Sequence, residues 1–556
     1  MRLARASLSS LALILCASSS IAQGPPPPPP PLQPPPVPPA NPITPAKTNL
    51  GQVLFWDEQL SSNRTTACGT CHVVSQGGGD PRSTLSNPAT RNPGPDGQFG
   101  TPDDVLGSLG VSRLDAAGHY LPDPAFRLQP RVGARHSPSV LNTAYVPQQF
   151  WDGRADGVFR DPLTNNVVIP FGASLENQVL APPLNTSEMA HENRDWNQVA
   201  AQIAGSIPLR LAPTIPPALA SWINGRDYPA LFNEAFGTPD VTPVRIALAI
   251  ATYERTLWTG QAPIDAFFGG QQNALTPQEL AGQAVFTGPG GCVACHGGNL
   301  FTNQGFFFTG VRPPIEDLGR FNVTGQNIDR GAMKAPSLRN VELHAPYFHN
   351  GQMATLEDVI DFYDRGGDFN APNKPPSVHP LGLSAQQKAD LAAFLRRPLT
   401  DPRVAQASGP FAHPSLYSSS TRVPVSFGHG TGGTNGIVPT MIALEPAFVG
   451  NPRLTFAVDG GLGGRPAALL VGNAALPQGT SFFGTTLFID LSFPVQLVRL
   501  PGLSPGGPGE GTGSLAVVVP NDPLLIGTSY YAQWLVFDST PGIRFSATAP
   551  VSGVRF

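Results

Sequence analysis

The sequence predicts a mainly α-helical chain that ends in an all-β, sandwich-like domain. Apolar residues recur at helical spacing in Val244–Leu257 and Ser384–Arg396, and a short cysteine motif occurs twice in this helical part. From about residue 402 onward the sequence contains no lysine or cysteine. In this part β-rich runs alternate with glycine and proline, which predicts a small antiparallel sandwich. The runs are Leu454–Val458, Thr486–Phe493, Leu515–Val519, Tyr530–Phe537 and Ile543–Ala547.

The N-terminus predicts export. Arg2 and Arg5 precede an apolar run, Leu11–Ala17, that is too short to span a bilayer, and small residues predict cleavage after Ala22. Removal of residues 1–22 leaves 32 basic and 38 acidic residues, a mild net charge that argues against nucleic-acid binding. We therefore expect a periplasmic or secreted protein without a transmembrane segment.

A proline-rich segment follows the signal peptide. Residues 23–46 contain fourteen prolines, seven of them consecutive from Pro25 to Pro31. Such a run favours the extended polyproline II helix, with three residues per turn and about 3.1 Å per residue. We interpret the segment as a linker rather than as a recognition motif.

The motif C-x-x-C-H occurs twice, at residues 68–72 and 292–296. Its two thiols can add to the vinyl groups of one haem, while the adjacent imidazole binds the iron. A redox-active dithiol or half of a zinc site could show the same residue pattern. Two copies in an exported chain with no other mature cysteine favour two covalently bound c-type haems. The predicted attachment residues are Cys68, Cys71, Cys292 and Cys295, and the predicted iron ligands are His72 and His296.

Five further segments resemble the bacterial di-haem cytochrome c peroxidase family, which includes the MauG-like proteins. They are Leu50–Asp57, Ser137–Asn142 through Phe150–Arg154, Leu175–Met189, Asp329–Val341 and Ala345–Gly351. The resemblance spans about residues 49–400. It implies two cytochrome c-like haem domains, a peroxidatic one over residues 47–262 and an electron-relay one over residues 263–401. Residues 402–556 lie outside it and are predicted to form a β-rich accessory domain.

The resemblance also implies catalytic residues near the first haem. The family has a Gln, a Pro four residues on and a Glu ten residues on, which correspond here to Gln178, Pro182 and Glu188. A carboxyl above the iron can move a proton between the oxygens of peroxide, and an amide can hold the peroxide by hydrogen bonding. Without the resemblance, Glu188 would be interpreted as a solvated acid at a helix start. Trp151 corresponds to the tryptophan between the haems, although a lone tryptophan is usually a core residue.

The chain departs from the family at the distal side of the first haem. Many members have a capping histidine sixteen residues after the first haem histidine, where this chain has Pro88. His119 is the only histidine between His72 and His136. We therefore expect a five-coordinate first haem that needs no reductive activation, unless the loop brings His119 to the iron.

A second departure concerns the relay haem. Its sixth ligand lies fourteen residues after the histidine of the Pro-Tyr-Phe-His segment and is Met in typical peroxidases but Tyr in MauG-like proteins. Here the position is Tyr363, on the apolar face of a helix predicted to begin with the capping box Thr355–Asp358. Such a tyrosine is more often a core residue, and Met353 and Met333 are alternative ligands. A phenolate ligand would lower the haem potential, whereas a thioether would raise it.

Calcium is only weakly indicated. The family's inter-haem calcium uses an Asn side chain and two carbonyls, here those of His344 and Pro346, but the Asn position is His136. Imidazole is a poor calcium ligand. The acids of residues 96–104 suit either a calcium loop or tight turns.

The resemblance implies an enzyme that reduces hydrogen peroxide to water with electrons from a small redox protein, a cytochrome c or a cupredoxin. It is also compatible with a homodimer. The alternative is a MauG-like oxidase in which a high-valent haem pair oxidises a partner protein, which Tyr363 and the missing distal histidine favour. A third reading is a non-catalytic electron-transfer module. The retained Gln178 and Glu188 argue against it, because a pure relay needs no open, protonating pocket.

Overall fold

The computed structural model describes residues 30–538 and 544–556. The predicted signal peptide and the first residues of the proline-rich segment lie outside the described residues. Helices dominate up to residue 405 and strands dominate after residue 425, so the predicted succession of a helical part and a β region is confirmed. Within the described ranges, no helix is both long and apolar enough to cross a bilayer.

The helices are short and separated by long connections. They are α1 (Pro45–Trp56), α2 (Cys68–Cys71), α3 (Ser174–Val179), α4 (Trp196–Ala204), α5 (Pro217–Ile223), α6 (Tyr228–Phe236), α7 (Pro243–Glu254), α8 (Pro263–Phe268), α9 (Pro277–Thr287), α10 (Phe321–Thr324), α11 (Leu356–Asp364), α12 (Ala385–Leu395) and α13 (Pro402–Ala405). The strands of the helical part form three small antiparallel pairs. They are β1 (Arg91–Asn92), β2 (Val105–Leu106), β3 (Phe159–Arg160), β4 (Val167–Ile169), β5 (Phe306–Phe307) and β6 (Met333–Lys334).

Helices α1 and α7 form the centre of the first helical region. Thr44 caps α1 and Thr242 caps α7 by accepting backbone N–H groups, and each helix has proline in its first turn. The helices touch at Gly51, where a Cβ would lie 1.9 Å from the carbonyl oxygen of Ala249. This close contact buries the apolar faces of both helices in one core, which is formed by residues from Leu50 to Leu257 together with Val404, Phe411 and Leu416.

A second apolar core begins at Ala262 and ends at Leu399. Helices α9 and α12 cross closely in it, since a Cβ at Gly282 would lie 2.0 Å from the carbonyl oxygen of Asp390. The rings of Phe286 and Phe394 lie 5.4 Å apart between centroids. The helical part therefore has two cores, which separate between Leu257 and Ala262.

The β region packs two antiparallel sheets face to face. Its strands are β7 (Val425–Ser426), β8 (Thr440–Ile442), β9 (Leu454–Leu462), β10 (Ala467–Gly472), β11 (Ala475–Phe482), β12 (Thr485–Ile489), β13 (Val495–Leu500), β14 (Pro508–Val517), β15 (Ser529–Phe537), β16 (Phe545–Ala547) and β17 (Val551–Val554). One sheet has the order β13-β10-β15-β17-β7, with β16 also paired to β15, and the other has the order β14-β9-β8, while β11 and β12 form a separate two-stranded antiparallel sheet. Phe456 on β9 and Trp534 on β15 are fully buried between them, as expected for a sandwich. Ile543, the start of one predicted run, lies outside the described residues.

The described part of the proline-rich segment lies against the protein. Leu32, Pro35, Pro38 and Asn41 are buried, whereas the residues between them are mostly exposed. A helix with three residues per turn places every third side chain on one face, which explains this period. The segment was expected to be a spacer, but in the structure residues 30–44 follow the surface of the helical part.

A buried ion pair anchors the end of this segment. Arg255 on α7 donates two hydrogen bonds of 2.8 Å to the carboxylate of Glu176 on α3. Asn41 donates to the same carboxylate at 2.8 Å and to the carbonyl oxygen of Leu248 at 3.0 Å. The pair therefore joins the proline-rich segment, α3 and α7.

We expect Glu176→Ala to lower the free energy of unfolding by about 3–5 kcal/mol, because it leaves the buried Arg255 guanidinium unpaired. Denaturant unfolding followed by circular dichroism would measure the change. Asp240→Ala is the control, since Asp240 is exposed and lies 3.6 Å from Arg245, and such pairs contribute about 0–1 kcal/mol. Equal effects of the two substitutions would contradict this prediction.

Candidate active site

A cavity of about 700 Å³ lies in the first helical region and extends to residues of the second. The structure brings the predicted site residues of the first haem together in its wall. They are Cys68, Cys71, His72, Trp151, Gln178, Pro182 and Glu188.

Each motif histidine is held in place through one of its two ring nitrogens. His72 Nδ1 lies 3.1 Å from the carbonyl oxygen of Gly78, and His296 Nδ1 lies 3.1 Å from that of Phe301. A carbonyl only accepts, so Nδ1 carries the proton and Nε2 is left to bind a metal. Burial lowers the pKa of both imidazoles, which favours the neutral form that metal binding requires.

The four motif cysteines form no disulfide with one another. Burial raises the pKa of Cys71 to about 12 and that of Cys292 to about 11. The first motif forms α2, which packs directly on Trp56, because a Cβ at Gly69 would lie 2.3 Å from the Trp56 ring. Two unbonded thiols and an oriented imidazole at each cavity fit a covalently attached haem.

The lining of the first cavity also contains an acid and an amide. Gln178 lies in the last turn of α3, and Pro182 begins a short 3-10 turn that leads to Glu188. Asn185 Nδ2 donates a hydrogen bond of 2.7 Å to Glu188 Oε1. Burial raises the pKa of Glu188, and Arg154 acts in the opposite direction. Glu188 is thus a cavity-facing carboxyl in a turn, not a solvated acid at a helix start.

Trp151 lines both cavities of the helical part. Its side chain is 8% exposed, and Nε1 donates a hydrogen bond of 2.7 Å to the carbonyl oxygen of His136. The ring centroid lies 6.3 Å from that of His349, which also lines both cavities. Trp151 is therefore an aromatic side chain in the wall between the two cavities.

The other ionisable residues that line the first cavity include Lys334 and Glu254, which the sequence analysis did not single out. Lys334 also lines the second cavity, and burial lowers its pKa to about 7. Burial raises the pKa of Glu254 to about 8, and its Oε2 atom has no hydrogen-bond partner among the described residues. A signal for Glu254 was present, because an acid in the last turn of α7 opposes the helix dipole.

The second cavity, of about 200 Å³, is lined by Cys292, Cys295, His296 and Tyr363. Helix α11 begins with the predicted Thr355–Asp358 capping box, and Tyr363 lies in its last turn. Burial raises the pKa of Tyr363, and the nearby Cys295 and Cys292 act in the same direction. Of the two alternative ligands, Met333 lines this cavity and Met353 does not.

His119 does not line the first cavity. His119 is exposed, and its Nδ1 lies 3.0 Å from the Asp115 carboxylate. Pro88 is exposed at the start of a 3-10 turn. Among the described residues that line the cavity, the histidines are His72, His136 and His349.

The positions considered for calcium show other contacts. Both ring nitrogens of His136 are buried without a hydrogen-bond partner among the described residues, 5.5 Å from the His344 ring between centroids. Burial lowers the pKa of His136 to about 3 and that of His344 to about 4. In residues 96–104, Asp103 and Asp104 accept backbone N–H groups of their own loop at 3.1 and 2.9 Å. These two hydrogen bonds are of the kind found in tight turns, and His136 does not supply an oxygen ligand.

Comparisons with known proteins identify the family. The family model described as di-haem cytochrome c peroxidase matches residues 45–273. The methylamine utilization protein MauG of Methylorubrum extorquens is 31% identical over 368 residues, which are 66% of this chain and 81% of that protein. Cytochrome c551 peroxidase of Nitrosomonas europaea is 30% identical over 336 residues, which are 59% of this chain and 77% of that protein. The chain belongs to the di-haem cytochrome c peroxidase and MauG family.

The family defines the class of the protein. It is an oxidoreductase of the cytochrome-c peroxidase type, with haem as its cofactor. The solved structure of a MauG-like protein associated with microbial copper homeostasis has a TM-score of 0.48 and 26% identity, over 68% of this chain and 96% of that chain.

Tyr363→Phe is expected to change the absorption spectrum of the second haem and to raise its reduction potential, because a phenolate ligand stabilises ferric iron. Met353→Leu should change neither property, since Met353 does not line the second cavity. Spectropotentiometry of both variants checks this. A shift in Met353→Leu with none in Tyr363→Phe would contradict the assignment, and Met333→Leu tests the remaining competitor.

Proposed function

We propose that this protein is an exported di-haem peroxidase that reduces hydrogen peroxide to water with electrons from a small redox protein. The observation that carries the proposal is the first cavity, where Glu188 and Gln178 share a wall with Cys68 and His72. A non-catalytic relay would not need a carboxyl in such a cavity. Export rests on the predicted signal peptide, and the donor would be a cytochrome c or a cupredoxin.

Each haem would be held by its own domain, residues 47–262 and residues 263–401. Cys68 and Cys71 would form thioethers in the first, and His72 would be the iron ligand. Cys292, Cys295 and His296 would do the same in the second, with Tyr363 as a further iron ligand from the same cavity. When bound, the haem supplies an iron that accepts peroxide and exchanges single electrons.

Glu188 would move the proton that O–O cleavage requires. Its carboxylate takes a proton from the inner oxygen of peroxide and returns it to the outer oxygen, which leaves as water. Two electrons and two protons in total convert one hydrogen peroxide into two waters. The raised pKa of Glu188 lies closer to neutral pH, where the carboxyl can both accept and donate a proton. The Asn185 amide fixes the carboxyl, and the Gln178 amide can hold peroxide by hydrogen bonding.

Trp151 would support electron transfer between the two haems. Its indole lines both cavities and is fixed by its hydrogen bond to the His136 carbonyl. Lys334 lies beside it, because its backbone N–H donates to the Trp151 carbonyl oxygen at 2.8 Å. An oriented, buried indole gives electrons a short path through bonded and packed atoms.

A MauG-like oxidase is the second candidate function. The observation that favours it is Tyr363 in the wall of the second cavity. A phenolate ligand lowers the potential of that site, which hinders electron uptake from a typical donor. In this case the substrate would be a partner protein that is oxidised at a distance, with Trp151 in the path.

A stopped-flow experiment separates the two functions. The fully ferric protein is mixed with hydrogen peroxide, with and without a reduced cytochrome c. A peroxidase turns over many equivalents only with the donor, whereas an oxidase holds its oxidising equivalents and decays slowly in both cases.

We expect a high-spin ferric component and reaction without prior reduction, because His119 faces solvent. A wholly low-spin ferric protein that reacts only after reduction would contradict the open first site.

We predict two haems per chain that remain attached after acidic solvent extraction, measured by the pyridine haemochrome assay. Replacement of Cys292 and Cys295 by alanine should leave one, because each motif supplies its own two thiols. A wild-type value of one or none would contradict the di-haem proposal.

Glu188→Gln should lower kcat/KM for peroxide by roughly 10²–10⁴, the range of general acid–base catalysis. In the wild type, kcat/KM should fall as the pH falls through the raised pKa of Glu188, because the protonated acid cannot accept the peroxide proton. The variant should lose this acidic limb. Glu234→Gln is the matched control, since Glu234 pairs with Arg226 at the surface. An unchanged rate in Glu188→Gln would make Glu188 structural.

A further inference from the structure

The loop of residues 107–135 lies between the β region and the first cavity. It contains no helix, and its internal pairing is limited to isolated bridges such as Leu114 to Tyr120 and Asp123 to Arg127. A segment with so little regular structure takes its position from the surfaces on which it packs. It has two such surfaces, one on each side.

The β region holds one side of the loop by apolar contacts. Leu114, Tyr120 and Leu128 form one cluster with Ile442 and Ala457, and each of these side chains is at most 4% exposed. Ile442 lies on β8 and Ala457 on β9. The cluster therefore joins the loop to the sheet β14-β9-β8.

An ion pair and two hydrogen bonds add to this contact. Arg127 Nε lies 2.9 Å from both carboxylate oxygens of Asp459, and Nη2 donates to the carbonyl oxygen of Gly509 at 2.9 Å. The backbone N–H of Tyr120 donates to Ser514 Oγ at 3.0 Å. Asp459 is buried, whereas the Arg127 side chain is 48% exposed, so removal of the Asp459 carboxylate frees Arg127 from the sheet without leaving a desolvated charge.

The other side of the loop supports the turn that carries Glu188. A Cβ at Gly110 would lie 2.1 Å from the carbonyl oxygen of Ser187 and 2.7 Å from the Cα atom of Glu188. Arg131 Nη1 donates to the carbonyl oxygen of Thr186 at 3.0 Å. The loop is thus in direct contact with the two residues before the predicted acid–base and with the backbone of Glu188 itself.

We propose that the β region positions Glu188 in the first cavity, with Asp459 and Arg127 as positioning residues that act through the loop of residues 107–135. The proposal rests on the proposed role of Glu188 in O–O cleavage. General acid–base transfer requires hydrogen-bond distance, and a displacement of about 1 Å can cost 10²-fold in rate. The same contacts keep His119 on the solvent side of the loop. On this view the β region is a part of the peroxidatic site and not only an accessory or anchoring module.

The test uses full-length, haem-loaded protein with Asp459→Ala and the milder Asp459→Asn. We expect amide hydrogen exchange to rise at least tenfold in peptides covering residues 107–135 and residues 185–189, with no change in the helices of the second core. We also expect kcat/KM for peroxide to fall about 10- to 100-fold and its acidic limb to shift. Asp490→Asn is the matched control, because Asp490 is an exposed β-region acid that caps Ser492.

A double variant distinguishes positioning from general destabilisation. In the Glu188→Gln background, Asp459→Ala should cause no further loss of rate, because the group that it positions is already removed. An equal loss in both backgrounds, or unchanged exchange in residues 185–189, would overturn the proposal. If Asp459→Ala does not fold, Asp459→Asn decides by the same two measurements. If Glu188→Gln alone keeps the wild-type rate, the proposed function fails, whereas the exchange result still decides whether the β region holds this turn.

Discussion

Buried arginines hold the irregular segments from which the two cavities are built. Arg339 binds the Asp265 carboxylate at 2.8 and 2.9 Å and the carbonyl oxygens of Thr259 and Asn299 at 2.9 and 2.7 Å. Arg194 donates to the carbonyl oxygen of Leu60 at 2.8 Å. Loop carbonyls have no helix or sheet partner, and an unpaired buried polar group costs about 1–3 kcal/mol. The rigid five-donor fork of arginine satisfies several at once, and it thereby fixes loops that regular structure does not.

The same principle applies to the wall between the cavities. Arg135 binds Asp152, next to Trp151, at 2.7 Å and Asp317 at 2.6 Å. These pairs tie the Trp151 segment to the second helical region. Electron transfer and remote oxidation both depend on a fixed path between the haems, so this wall would serve either candidate function. What separates the two functions is the second cavity, where Tyr363 and Met333 offer opposite effects on the haem potential.

The β region supports, in the same way, the part of the first cavity that contains Glu188. Its sandwich is stable through its own core, with Phe456 and Trp534 at the centre. It meets the helical part through Arg127 and the Tyr120 cluster, and also where the backbone N–H groups of Tyr417 and Ser418 donate to Glu58. Burial raises the pKa of Glu58 to about 7. A domain that only tethered the enzyme would not need buried polar contacts of this kind.

The sequence by itself determined the features that depend only on residues close together in the chain. Each C-x-x-C-H motif brings two cysteines and a histidine together within five residues, the Thr355–Asp358 box specifies the start of α11, and alternating runs specify the strands of the sandwich. The family resemblance implied that Gln178, Pro182 and Glu188 belong to one site, and all three line the first cavity.

Only the tertiary structure decided which distant residues share a cavity. It places Trp151 in both cavities, leaves Met353 out of the second and turns His119 to solvent. It also packs the proline-rich segment on the helical part and brings Lys334 and Glu254 to the first cavity. These outcomes depend on contacts between segments far apart in the chain. Local propensity does not contain such contacts, because packing and burial are settled only when the whole chain has folded.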